Sequence, residues 1–371
     1  MPSTWFPKEP PKLIFKTQDK IGENIVQLKY NICLLGCFLY FCNEYIIRTK
    51  IMGFFKSLFS SQPKDASAEE GRKNEEKNFD ILKYDGVRAQ KIHKLPYAIR
   101  CFEEALNIQE DFETRSFLTA AYIASGKLEE ALGVLDKMRE LKPDDIDTLL
   151  TRIQVLFMLD KDPEVITDCQ TIISLQPENA TAFYLMAKAK HVTNDLLGAI
   201  ADLTRAVTLR DDFASAYQLR AEILLKMQQG TEALEDIQKV IELNPEEDTA
   251  YLLRGRIYAM IGNIEQADAD FHQVLNLNPF NEDATLLIGQ LLIAQNKLDE
   301  AIAFFDEAIE NAPDQGKFYS ERGRAKNMKG DKAGAFEDLK KSIELNPEGE
   351  EAKLVEGSHS NFDNLYKGGL Y

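Results

Sequence analysis

The chain has 371 residues, 44% of them hydrophobic, which is enough to bury a substantial core and too apolar for a disordered polymer. Its formal charge of −17 and pI near 4.9 argue against nucleic-acid binding, because affinity for a phosphate backbone rests on clustered Lys and Arg. Five cysteines in a chain this long describe no disulfide framework and fit a reducing compartment.

Residues 1–50 carry seven Lys/Arg against four Asp/Glu, net +3, leaving −20 for the remainder. The apolar run from Ile32 to Cys42 is eleven residues long and is followed by Asn43 and Glu44, whereas spanning a bilayer takes about twenty. Thirty mostly polar residues come first, unlike a secretory signal. Cys33, Cys37 and Cys42 lack the fourth donor and the polar loop that a metal site needs, so no metal is expected. Two readings stay open for residues 1–51. One is a weak hydrophobic segment that tethers the chain to a membrane if residues 31–47 insert. The other is an over-extended start, with Met52-Gly53-Phe54-Phe55-Lys56-Ser57 opening the protein and formally fitting a myristoylation pattern. Residues 52–78 read as a lead-in, polar and charge-rich from Ser60 to Asn78.

From residue 79 a period takes over. Pro143, Pro177, Pro245, Pro279, Pro313 and Pro347 are spaced by 34, 68, 34, 34 and 34 residues, and Asp211 fills the doubled step. With proline at position 32, the units are 112–145, 146–179, 180–213, 214–247, 248–281, 282–315 and 316–349. A degenerate unit at 79–111 precedes them, one residue shorter, with Gly86, Ala98, Phe102 and Ala105 in register. A strict period of this length predicts a stack of supersecondary units, none able to bury its apolar face alone.

Within each unit, residue types recur at fixed points. Unit 248–281 has Tyr251, Gly255, Tyr258, Gly262, Ala267, Phe271 and Pro279; unit 282–315 has Gly289, Leu292, Ala301, Phe305, Ala308 and Pro313; unit 316–349 has Tyr319, Gly323, Gly330, Ala335, Leu339 and Pro347. This pattern resembles the tetratricopeptide repeat family over roughly three quarters of the chain. The resemblance implies an all-α superhelix, a solenoid of antiparallel helix pairs. Gly255, Gly289 and Gly323, with Ala233, Ala267, Ala301 and Ala335 opposite, are expected where the two helix backbones approach closely. Phe271 and Tyr258 are expected between successive units. Gly126, Gly262 and Gly330 fall in the turn between the helices, where positive φ suits glycine. Prolines after the second helix stop it. Cys101 and Cys169 fall at helix-interior positions and read as small core residues.

Positions 7 and 23 vary together: Arg152 with Asp168, Arg220 with Asp236, Arg254 with Asp270, and Arg322 with Asp338. In two units both are apolar, Leu118 with Val134 and Ile288 with Phe304. Two charges or two apolar groups are what a partly buried contact requires, since a lone desolvated charge is costly. Met186 with Asp202 breaks the rule, and Asp202 is expected to lean toward Arg220.

The resemblance also places function on the first helices, whose positions 2, 5, 9 and 12 line a concave groove in that family. Position 5 gives Tyr184, Gln218, Leu252, Leu286 and Ser320; position 9 gives Lys188, Glu222, Arg256, Gln290 and Arg324. An apolar centre at Leu252 and Leu286, flanked by Lys188, Arg256 and Arg324, suits a peptide or helix with apolar anchors and acidic groups. A clamp for acidic chaperone tails needs Lys and Asn at positions 5 and 9. Lys83 is present, but Val87 stands where Asn is needed, so that theme is disfavoured.

Glu350 to Glu356 are expected to form a short capping helix, followed by a tail with Phe362, Leu365, Tyr366, Leu370 and Tyr371. His93, His191, His272 and His359 are scattered without a nucleophile, carboxylate or cysteine partner, and no phosphate-binding loop is seen, so no catalysis and no cofactor are expected. The expected function is a protein-interaction scaffold in the cytoplasm with a protein or peptide partner; the alternative is a membrane-tethered assembly or co-chaperone-like factor anchored through residues 31–59.

Overall fold

A computed structural model describes the backbone of residues 66–348 and the side chains of 72–348. The apolar run at 32–42, Met52 and the segment from 349 to the end, with the expected capping helix and aromatic tail, lie outside the described residues. Among the described residues there are sixteen α-helices and no strand, and none of these helices is long and apolar enough to cross a membrane.

The helices alternate in a fixed rhythm. The first helix of each 34-residue unit is followed, after a short turn, by a second, as in Asp248–Met260 and Ile264–Leu277 or Gly316–Lys329 and Lys332–Leu345. Helix Ala66–Lys91 is the exception in length. It runs from the polar lead-in straight into the first unit, and residues 72–78 are exposed along it.

Local sequence explains where helices start and stop. The last residue of a unit caps the next first helix: the Asp111, Asp145, Asn179 and Asn281 side chains accept from the backbone N–H of Thr114, Thr148, Ala182 and Ala284, each such cap contributing about 1 kcal/mol. Asp195 and Asp331 do the same for two second helices. Position 15, the turn between the helices, is left-handed in all eight units: Gly126, Gly262 and Gly330, but also His93, Asp160, Asn194, Gln228 and Asn296, with φ from 54° to 96°. Two tyrosines at position 4 fasten the proline turn before them, Tyr251 donating to the Pro245 carbonyl at 3.1 Å and Tyr319 to that of Pro313 at 3.2 Å.

Packing between the two helices follows volume. The alanines at position 20, from Ala98 to Ala335, are fully buried. A methyl group at Gly86, Gly255 or Gly289 would overlap the ring of Phe102, Phe271 or Phe305 in the same unit. These three glycines make room for a ring, whereas Gly323 is buried opposite Leu339. Where position 8 carries alanine, position 24 is smaller: Ala187 with Leu203 and Ala221 with Ile237; Ile153 faces Cys169. Close packing explains the trade, since the pair must fill one volume. Cys101 and Cys169 are both buried, and burial pushes the Cys169 thiol up to about 12, which leaves it inert as a nucleophile.

Candidate functional site

The arginines at position 7 join three helices. Arg220, Arg254 and Arg322 each present Nε and Nη2 to both oxygens of the aspartate at position 23, at 2.6–3.0 Å. Their Nη1 groups reach back to position 25 of the preceding unit: Thr204 at 3.0 Å, Gln238 at 2.7 Å and Asp306 at 2.7 Å. Arg152 divides itself likewise between Asp168 and Asp136. Tyr217, Tyr251 and Tyr319 lie beside these guanidinium groups, with ring centroids 5.4–5.7 Å away. Fork geometry explains why arginine stands here, because only a planar guanidinium serves both partners at once.

Asp202 does not lean toward Arg220. Lys190, one helical turn beyond Met186, supplies its cation at 2.6 Å. Lys326 in the last unit occupies the same position and lies 2.8 Å from Asp338. A lysine stem reaches from position 11 what an arginine reaches from position 7, and a reading confined to positions 7 and 23 passes over it.

Helix Ala214–Lys226 touches both Ala180–Val192 and Asp248–Met260 directly, and Glu282–Ala294 touches Gly316–Lys329. Arg256 meets Asp283 at 3.4 Å, Gln290 donates to Glu321 at 2.8 Å, and Arg324 lies 3.1 Å from the same Glu321. Lys188 stands over the ring of Phe157, 4.9 Å from its centroid. Gln218 donates to Glu222 at 3.2 Å on its own helix.

The named positions differ in exposure. Lys188, Glu222 and Arg256 are exposed, while Tyr184, Gln218, Leu252, Leu286, Gln290, Ser320 and Arg324 are half-buried. Leu252 packs against the cluster around Phe271 and Ile288, and Leu286 against the one around Phe305 and Phe318. Tyr184 rests against Phe213 at 5.0 Å. The apolar centre is thus continuous with the core; Arg256 faces a carboxylate of the next unit, and Arg324 one on its own helix. Phe157, at position 12, belongs to this face and was not singled out; a phenylalanine at a groove-facing register was the available signal. Lys83 is buried beneath Asp111 and Glu113 at 2.8 and 2.7 Å, so its ammonium is already occupied.

A family model described as tetratricopeptide repeat matches residues 219–267, 261–316 and 289–350. No curated protein matches the sequence. Similar solved structures include MamA, 21% identical over 45% of this chain and 92% of its own, with a TM-score of 0.43. YrrB, described as a tetratricopeptide repeat protein with an unusual peptide-binding site, is 21% identical over 51% of this chain and 97% of its own, at 0.40. Yeast Tom70 is 19% identical over 74% and 77%, at 0.41.

Proposed function

We propose, from the premise that this chain is a tetratricopeptide repeat protein, that it is a non-catalytic scaffold taking a protein segment along its first-helix wall. The observation that carries this reading is the continuity of that wall. Adjoining first helices set exposed Lys188, Glu222 and Arg256 beside half-buried Tyr184, Leu252 and Leu286. Alternating charges above an apolar floor suit an extended segment or a helix that inserts apolar side chains and pairs its own acids with Lys188 and Arg256. Gln218, Gln290 and Arg324 extend the polar rim on either side.

The test is affinity purification of partners on the intact chain, wild type against two variants. Leu252→Glu plus Leu286→Glu removes the floor, but both side chains touch the core, so circular dichroism must accompany it. Lys188→Glu plus Arg256→Glu changes exposed residues only and leaves the fold intact. Loss of the same partner from both variants is the expected result. Undiminished recovery by the folded charge-reversal variant and by the leucine variant would place binding elsewhere.

A further inference from the structure

Every unit after the first receives the second helix of the preceding unit on one stripe of its own first helix, positions 7, 10, 11 and 14. The contacts are specific. Gly230, opening one second helix, faces Ile257, Met260 and Ile261 of the next unit; Arg322 at position 7 meets Asp306 at 2.7 Å; Lys329 at position 14 meets Asp299; and Tyr122 at position 11 donates to Glu103. The residues at position 10 are accordingly buried throughout: Ala121, Val155, Ala189, Ile223, Ile257, Leu291 and Ala325 are all at 2% exposure or less.

In the first unit the same stripe carries Asp85, Arg88, Ala89 and Ile92, of which Ala89 is buried. Ile92 is 63% exposed and the Arg88 side chain 69%. Ile81 and Tyr84 extend it at 48% and 56%, and Tyr97 borders it at 46%. Asp85, Arg88, Ala89, Ile92, Lys94 and Tyr97 line a pocket of about 350 Å³ here. We propose that this amino-terminal face, formed by Ile81, Tyr84, Asp85, Arg88, Ile92 and Lys94, docks an acidic amphipathic helix of a partner protein.

Shape and charge both select that occupant. The stripe has the register that seven other first helices use to seat a helix, so a helix is what it fits. Four large apolar side chains exposed together exceed the scatter of single ones that a surface tolerates. Charge gives the sign. Across the later junctions the incoming second helix brings the acid and the receiving unit the base: Asp299 to Lys329, Asp306 to Arg322, and Glu129 to Lys161 at 3.1 Å. Lys94 holds the same position in its unit as Lys161 in its own, and Lys91 stands exposed beside it, while Arg88 is paired with Asp85 on its own helix. An incoming helix with a carboxylate in its first turn meets Lys94 as Glu129 meets Lys161. Asp85, where later units carry arginine, leucine, methionine or isoleucine, is already matched by Arg88, so a neutral residue of the partner helix suits that point. Two copies of this face would oppose like charges, which disfavours self-association through it.

The chain contains a probe of the right pattern. Residues 264–277 form a second helix with Glu265 in the first turn, His272 at position 25 and no Lys or Arg. A fluorescein-labelled, helix-stapled peptide of this sequence, titrated with the intact chain, should bind saturably at low salt. Tyr84→Glu plus Ile92→Glu should weaken binding at least tenfold, and so should the peptide change Glu265→Lys. Phe280→Ser, at an exposed position in a turn between two later units, should leave it unchanged. Because all the altered receiving residues are exposed, the double variant should keep the wild-type helical signal. No saturable binding, or equal binding by the double variant, would overturn the proposal. So would sedimentation showing that the double variant turns a dimer into a monomer, since the face would then belong to a second copy. The face lies apart from the first-helix wall, so either proposal can fail without the other.

Discussion

Arg254 and Asp270 sit sixteen residues apart and share two hydrogen bonds, 2.8 and 2.7 Å, with the aspartate almost wholly buried. The same guanidinium reaches Gln238, sixteen residues back. One side chain thus ties the two helices of a unit to each other and to the unit before.

Removing one member of that pair strands the other. Asp270→Val is expected to cost about 2–4 kcal/mol, because a largely desolvated arginine loses its counter-charge. Combining it with Arg254→Leu should recover most of the loss, reproducing the Leu118–Val134 arrangement of unit 112–145. Urea denaturation of both single variants and the double variant gives the coupling directly. A coupling near zero would show that the two side chains are merely neighbours.

The glycine-to-ring contact makes a second expectation. Gly255→Ala should destabilise the array by about 1–3 kcal/mol, as overpacking of a close-packed site does. Phe271→Leu in the same chain should return part of the stability, since alanine with leucine is the combination at Ala187 and Leu203. Thermal melts of the three variants decide it. Equal additive losses would mean that the ring is not what glycine accommodates.

The turn at position 15 isolates a backbone effect. Nothing lies within 4 Å of where a side chain at Gly262 would begin, and φ there is 82°. Gly262→Ala should therefore cost about 1–2 kcal/mol through conformation alone. Gln228→Gly, at φ 61°, should do the reverse and raise the melting temperature. An unchanged melting temperature in both would contradict a left-handed turn.

Two carboxylates should respond oppositely to acid. Burial pushes Asp202 above its ordinary pKa although Lys190 is 2.6 Å away. Its folded form holds a proton more readily than its unfolded form, so stability rises as pH falls through that folded value. At Asp111, burial opposes ionisation, but hydrogen bonds from Lys83 and Thr114 and the Lys83 charge outweigh it and hold the carboxyl low. Its contribution is present above the unfolded value and is lost as pH falls through the folded one. Urea titrations between pH 3 and 7 should show Asp202→Asn losing the acid-side gain of the wild type. Asp111→Asn should flatten the acid-side loss.

The 34-residue period and the proline stops are local properties of the chain, as is the alternation of helix and turn. They follow from backbone propensities and from spacing, and were legible residue by residue. The Arg–Asp pairs were legible too, because a desolvated charge demands a partner in every unit and the repeats display the demand several times over. Contacts that depend on side-chain reach and direction were not. That Lys190 rather than Arg220 serves Asp202 depends on a stem extending one turn along a helix. That Gly255 faces a ring depends on where the Phe271 side chain swings. The uncovered stripe at Arg88 and Ile92 arises because the helix from Ala66 runs straight into the first unit, where each later unit has a second helix packed beside it. Sequence by itself determined the repeat and its internal charge pairing, since both recur along one dimension. Only the tertiary structure decided which faces the stacking leaves open, because exposure is set by neighbours distant in the chain.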